Sequence, residues 1–215
     1  MISDTLFEYA EQHSTPEYPL LDRLNRETHL TQVYPHMLAG HMQGMLLRFI
    51  SQMIKPRRIL EIGTFTGYSA INLAMGLHSL PSEECILHTI EINPEQEEII
   101  QKYLAEAGLE KKVILHIGEA LKIIPKLDET WDLVYIDADK PNYLNYYKLV
   151  FDRVKPGGFI LADNALWDGK VLEPNTRSRD TKGIIEFNEL VQKDDRVENL
   201  LLPFRDGLMI VRKKV

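Results

Sequence analysis

An α/β fold with a doubly wound, largely parallel sheet of about seven strands is predicted for this 215-residue chain by three observations. Apolar runs of strand length alternate with helix-period segments after residue 55. One such run, from Ile59 to Ile62, ends in the glycine pair Gly63 and Gly67 and gives way at once to helical spacing at Ile71, Ala74 and Met75. The last two runs, 197–203 and 207–212, are joined only by Phe204, Arg205 and Asp206, so they must form an antiparallel hairpin closing the sheet.

Residues 1–54 read as a helical cover packed on this sheet, and residues 55–215 as the α/β core of one domain. The cover begins with two helices split by Pro16 and Pro19, with apolar stripes at Leu6, Phe7 and Tyr9 and at Leu20, Leu21 and Leu24. A third helix follows, with Leu46, Leu47, Ile50 and Met53 on its apolar face. Gly40 and Gly44 near its start are candidates for close approach of a backbone or ligand, set against plain helix entry. His36 and His41 match neither H-E-x-x-H nor a zinc-finger spacing and are read as structural or solvent-facing.

The glycine run E-x-G-x-x-x-G-x-S, Glu61 to Ser69, marks a site candidate at a strand's carboxyl end. Phe65 stands where the dinucleotide fingerprint needs its second glycine, so a ligand without a pyrophosphate is expected. Residues 86–92 form the second strand. Asn93 then caps a helix with Pro94 at its first position, leaving Glu91 where nucleotide-binding α/β folds hold a ribose diol. The third strand, 113–118, leads into a helix opened by Glu119 and Ala120. The fourth, 132–140, ends in a polar knot, and the fifth, 159–164, follows a turn at Pro156, Gly157 and Gly158.

Asp137, Asp163 and Asn164 fall at the carboxyl ends of the fourth and fifth strands, on either side of the expected reversal of winding. Two carboxylates and an amide, with no Cys or His, suit Mg²⁺, Mn²⁺ or Ca²⁺ and not zinc. Crowded acids would otherwise repel, and helix caps or loop hydrogen bonds are the plainer alternative for each residue singly. Lys140 is near enough in sequence to reach the cleft, where a dication would lower its pKa and make it a usable base.

Composition narrows the partners. A net charge of −7 and the lack of long Lys/Arg runs argue against a nucleic-acid surface. The single Cys85 allows no disulfide framework, and no apolar stretch reaches ~18 residues, so a cytoplasmic protein with no membrane span is expected. A homodimer is expected on base rates and from the apolar N-terminal helices.

Taken in order, Glu61 to Ser69, Glu91 to Pro94, Asp137 to Tyr143, Asp163 to Gly169 and Asp206 to Leu208 resemble the metal-dependent S-adenosylmethionine O-methyltransferases, in particular the caffeoyl-CoA and bacterial catechol-type branch. The resemblance runs from about Met37 to the end and implies a Rossmann-like methyltransferase domain. It implies that Met37, Gly63, Tyr68 and Ser69 surround the methionine part of the cofactor, that Glu91 binds the ribose, and that Gly118, Glu119 and Ala120 flank the adenine. Glu61, Phe65, Ile92 and Asp137 complete the candidate cofactor contacts. Asp137, Asp163 and Asn164 would hold the metal, Lys140 would stand beside the acceptor hydroxyl, and Tyr143 and Trp167 would meet the ring of a small phenolic substrate. The segment His41-Met42-Gln43-Gly44 departs from the acidic plant pattern. A nicotinamide dehydrogenase would need a pyrophosphate loop that is missing here. An RNA-directed methyltransferase is the nearer alternative and would call for a basic groove.

Overall fold

The computed structural model describes residues 4–77, 84–173 and 176–215. Three helices come first: α1 (Asp4–Gln12), α2 (Pro19–Thr31) and α3 (Gly40–Ile54). Seven strands follow: β1 (Arg58–Ile62), β2 (Ile86–Glu91), β3 (Val113–Ile117), β4 (Trp131–Ile136), β5 (Val154–Ala162), β6 (Val197–Leu202) and β7 (Leu208–Lys213). Between them lie α4 (Tyr68–Ala74), α5 (Glu97–Glu106), α6 (Ala120–Ile123), α7 (Tyr143–Phe151) and α8 (Arg179–Lys193). The strand order is β3-β2-β1-β4-β5-β7-β6, parallel through β5, with β7 antiparallel to β5 and β6 antiparallel to β7.

Winding reverses between β1 and β4, which pair through Ile59 to Leu133 and Ile62 to Ile136. The crevice above that pair is therefore flanked by the glycine loop and Asp137. Asp163 and Asn164 lie one strand further out, not across the reversal as the sequence suggested.

Both sheet faces are covered, which is why the central strands read as mostly apolar runs, interrupted at Glu61, His88 and Thr89. Successive side chains point to opposite faces: Ile59 and Leu133 pack with α2 to α5, while Leu60 and Val134 pack with α7 and α8. Leu24, Leu47, Phe187 and Val191 are fully buried, each contributing roughly 1.5–3 kcal/mol relative to exposure. These two layers fix the carboxyl ends of β1, β4 and β5.

One local expectation is corrected, and one of two alternatives is decided. Pro156, Gly157 and Gly158 do not form a turn before β5 but lie within it, as a bulge between the pairs Trp131 with Val154 and Leu133 with Phe159. Pro156 offers no N–H to the ladder and Gly157 takes φ 79°, so the chain leaves the ladder without ending the strand. Gly44 is needed for packing between helices: a Cβ there would meet Asn72 Nδ2 at 2.6 Å and Tyr68 Cε1 at 2.7 Å on α4.

Candidate active site

A cavity of about 1310 Å³ opens over the carboxyl ends of the parallel strands. Its floor is the β1 loop. Gly63 has φ 97°, and a Cβ on it would lie 1.9 Å from the carbonyl oxygen of Asp137, so any other residue would force β1 and β4 apart. Gly63, Phe65, Tyr68 and Ser69 line the cavity, as do Met37 from the segment before α3 and Ile92 after β2. Gly118, Ala120 and Asp137 also line it, and so does Glu91.

Glu91 is buried, and its carboxylate organises the loop. Oε2 accepts from the backbone N–H groups of Thr64 (3.2 Å) and Phe65 (2.8 Å), and Oε1 accepts from that of Asn93 (2.8 Å). With about four lone-pair positions on a carboxylate, three are already engaged in shaping the loop. The sequence indicated a ligand-facing acid and gave no sign of this second task.

At the far end of the cavity the polar strand ends converge. Lys140 is buried, and its Nζ donates to Asp137 Oδ1 (3.1 Å), Asn164 Oδ1 (2.7 Å) and Tyr143 Oη (2.7 Å), which uses all three ammonium donors. Asp163 accepts from the Asn164 N–H (2.8 Å) and the Tyr135 hydroxyl (3.2 Å). Burial, and then the neighbouring Asp137 charge, push the Asp163 carboxyl up to about 6. Asn164 takes φ 54°, which turns the chain off β5 into the cavity wall. Trp167 also lines the cavity, its ring 5.6 Å from Lys140 Nζ.

The O-methyltransferase family model matches residues 11–214. The chain belongs to the O-methyltransferase family. The methyltransferase is 34% identical to caffeoyl-CoA O-methyltransferase 2 of Eucalyptus globulus, over 98% of this chain and 89% of that protein. It is 33% identical to the caffeoyl-CoA O-methyltransferase of Petroselinum crispum, over 98% of this chain and 91% of that protein. Among solved structures it resembles the O-methyltransferase TomG of Streptomyces achromogenes in complex with S-adenosylmethionine, with a TM-score of 0.89 and 30% identity over 98% of this chain and 96% of that one. It also resembles the Bacillus cereus O-methyltransferase in complex with S-adenosylhomocysteine, with a TM-score of 0.90 and 27% identity over 98% and 97% of the two chains. It is an S-adenosylmethionine-dependent O-methyltransferase with the expected Rossmann-like sheet. Among the described residues no helix is long and apolar enough to cross a membrane.

Three residues singled out from the methyltransferase's sequence do not line the cavity. Glu119 turns outward at the start of α6 and pairs with Lys122 at 2.6 Å. Tyr143 is fully buried beneath Lys140, with its ring edge-on to Phe187 at 5.7 Å and its hydroxyl donating to the Asp163 carbonyl oxygen (3.1 Å). It supports the lysine from below and cannot stack on a substrate in this arrangement. Glu61 is also fully buried under the loop, accepting from Thr89 Oγ1 at 2.5 Å and facing Ser69, while Oε1 has no hydrogen-bond partner of normal geometry.

Burial pushes the Glu61 carboxyl up to about 8, against the Thr89 hydrogen bond and with Asp137 and Glu91 adding to the rise. The folded chain thus keeps a proton that the unfolded chain releases near the ordinary value of 4.5, so Glu61 costs stability increasingly as pH climbs from there to 8. Glu61→Gln, which carries no such titration, is expected to melt above wild type at pH 8, the gap closing towards pH 4.5. Thermal unfolding of the ligand-free protein across that range measures it. A gap independent of pH would contradict an ionisable, desolvated Glu61.

The donor set of the methyltransferase fits a hard dication. Among the described residues no three His, Cys, Asp or Glu side chains are grouped so as to hold a metal ion by themselves, and the candidate ligands are the carboxylates of Asp137 and Asp163 with the Asn164 amide. All three donors are oxygens lining one cavity, and the Lys140 ammonium already bridges two of them as a cation. Asp139 also lines the cavity but is engaged by the Tyr146 hydroxyl (2.5 Å) and Asn142 Nδ2 (2.6 Å) at the entry to α7.

Sequence reasoning passed over Gln43 and Arg205, both of which line the cavity. Gln43 is buried on α3, facing Asp163 and Tyr135, although its Nε2 has no hydrogen-bond partner of normal geometry. The available signal was a polar residue four before the buried Leu47, on the helix face that packs inward.

Proposed function

We propose that the protein methylates one hydroxyl of a small vicinal dihydroxy aromatic, with Asp137, Asp163 and Asn164 holding a divalent cation, Mg²⁺ or Mn²⁺ or Ca²⁺. The observation that carries this reading is the Lys140 cluster: a buried ammonium held between two oxygen donors at the strand ends, in the same cavity as the glycine loop and Glu91. The caffeoyl-CoA named in the plant relatives, which carries such a ring, supports the acceptor class.

S-adenosylmethionine supplies a methyl group already activated on a sulfonium, so the protein has chiefly to align an oxygen nucleophile and favour its anionic form. A bound dication would acidify a coordinated phenol. The chain's own residues do the rest. Gly63, Phe65, Tyr68 and Ser69, with Met37, border the methionine part, Glu91 takes the ribose, and Ile92, Gly118 and Ala120 border the adenine. As the neutral amine Lys140 accepts the phenolic proton, or as the ammonium it holds the resulting oxyanion, its position set by Asp137, Asn164 and the Tyr143 beneath it. Trp167 walls the acceptor ring, and transfer leaves a methyl ether and a neutral thioether.

Two adjacent oxygens are needed to chelate a metal while one of them meets the methyl group. Catechols are therefore expected to be methylated, and single phenols on the same scaffold not. Turnover of matched pairs with labelled S-adenosylmethionine checks it, and equal rates would remove chelation from the mechanism.

A further inference from the structure

Arg205 sits in the connection between β6 and β7, with φ 50° in a region that residues with a side chain seldom occupy. The neighbouring backbone is fastened to the turn that carries the acceptor wall. Asp206 O accepts from Leu166 N (2.9 Å), Gly207 O accepts from Ala165 N (2.9 Å), and the Asp206 carboxylate accepts from Asp168 N. The loop with Arg205 is therefore tied to the turn that carries Asn164 and Trp167.

Arg205 lines the cavity, yet among the described residues its guanidinium makes no hydrogen bond and no ion pair. The nearby acids are otherwise engaged: Asp168 is 3.8 Å from Lys170, Asp206 holds the Asp168 N–H, and Glu17 accepts from the Tyr68 hydroxyl. Around it the wall is apolar and aromatic, with Phe204 packed near Phe7 of α1 at 6.4 Å between ring centres, and Trp167 and Leu172 completing it. A strained backbone thus places a solvent-exposed cation in the cavity wall, beside the turn that carries Trp167 and within electrostatic reach of the Tyr68 hydroxyl.

We infer that Arg205 determines acceptor specificity, selecting dihydroxy aromatics whose ring substituent ends in a carboxylate. The planar guanidinium fork matches a carboxylate with two parallel hydrogen bonds, and the surrounding aromatic wall accommodates the ring and its spacer. The inference rests on the catechol reading above. The cofactor's own carboxylate is the competing partner, because the Arg205 charge reaches the Tyr68 hydroxyl.

The test uses caffeate and its uncharged methyl ester, with wild type, Arg205→Gly and Arg205→Lys. Glycine is at ease at this φ, so the variant is not expected to lose its fold. Wild type should prefer the acid, and Arg205→Gly should lower the acid-to-ester ratio of kcat/KM by about tenfold to a hundredfold, the size of a charge-assisted hydrogen bond, with partial recovery in Arg205→Lys. Calorimetric binding of the two compounds to protein loaded with S-adenosylhomocysteine should show the same ratio without turnover. An unchanged ratio overturns the inference, and so does weakened S-adenosylmethionine binding in Arg205→Gly with the ratio intact, which would assign the arginine to the cofactor. If wild type binds the two compounds with the expected preference but methylates neither, the catechol reading fails while the carboxylate site stands.

Discussion

Lys140→Ala is expected to lower turnover of an unsubstituted catechol by about 10²–10⁴, the usual contribution of a positioned proton acceptor. The lysine is the buried hub of the cluster, bonded to Asp137, Asn164 and Tyr143, so its loss removes both the ammonium that holds the strand ends together and the neutral amine that would accept the phenolic proton. Substrate acidity separates these effects. A nitrocatechol gives up its proton with less help, so it should suffer much less than catechol from the same substitution. A loss of equal size on both substrates would make Lys140 a structural cross-link and not an acid–base group. Cofactor affinity should hold within a few-fold, because Lys140 bonds to no residue of the glycine loop.

Glu91→Ala is expected to weaken S-adenosylmethionine binding by at least roughly 2–3 kcal/mol, since hydrogen bonds to a charged group contribute ~1.5–3 each. The structure adds a second reason. The carboxylate also orders the loop through the N–H groups of Thr64 and Phe65, and its removal leaves those donors without their partner. Calorimetry should therefore record a lower affinity, and hydrogen exchange at Thr64 and Phe65 should quicken in the ligand-free variant. An unaltered dissociation constant would remove Glu91 from the cofactor site.

The sheet was legible because its central strands are buried on both faces and are punctuated by glycine, proline and polar ends. β5 was read too short because Pro156, Gly157 and Gly158 are turn residues by local preference, whereas pairing with β4 on both sides of the bulge keeps them in the strand. Much of the cavity wall was readable as well, since strand carboxyl ends are fixed by topology: Gly63, Glu91, Asp137, Asp163 and Asn164 all face one space.

What the sequence did not reveal depends on side-chain direction and on contacts between distant segments. Glu61 stands one residue before the end of β1 and Glu91 at the end of β2, and Glu61 points beneath the loop whereas Glu91 points into the cavity. Tyr143 lies three residues from Lys140, close enough to share a site, but the start of α7 carries its ring into the core against Phe187. Arg205 looked like hairpin connection, and its place in the wall follows from bonds to residues 165–168 that no local pattern encodes.

The central claim is that one cavity holds two separable binding sites, a cofactor site on the glycine loop and Glu91, and a hard-metal site on Asp137, Asp163 and Asn164. Calorimetry and turnover on the same EDTA-treated protein test it most directly. The account predicts that S-adenosylmethionine still binds, that catechol methylation is abolished, and that Mg²⁺ or Mn²⁺ restores it in wild type but not in Asp163→Ala. Methylation indifferent to EDTA in the treated protein would contradict it.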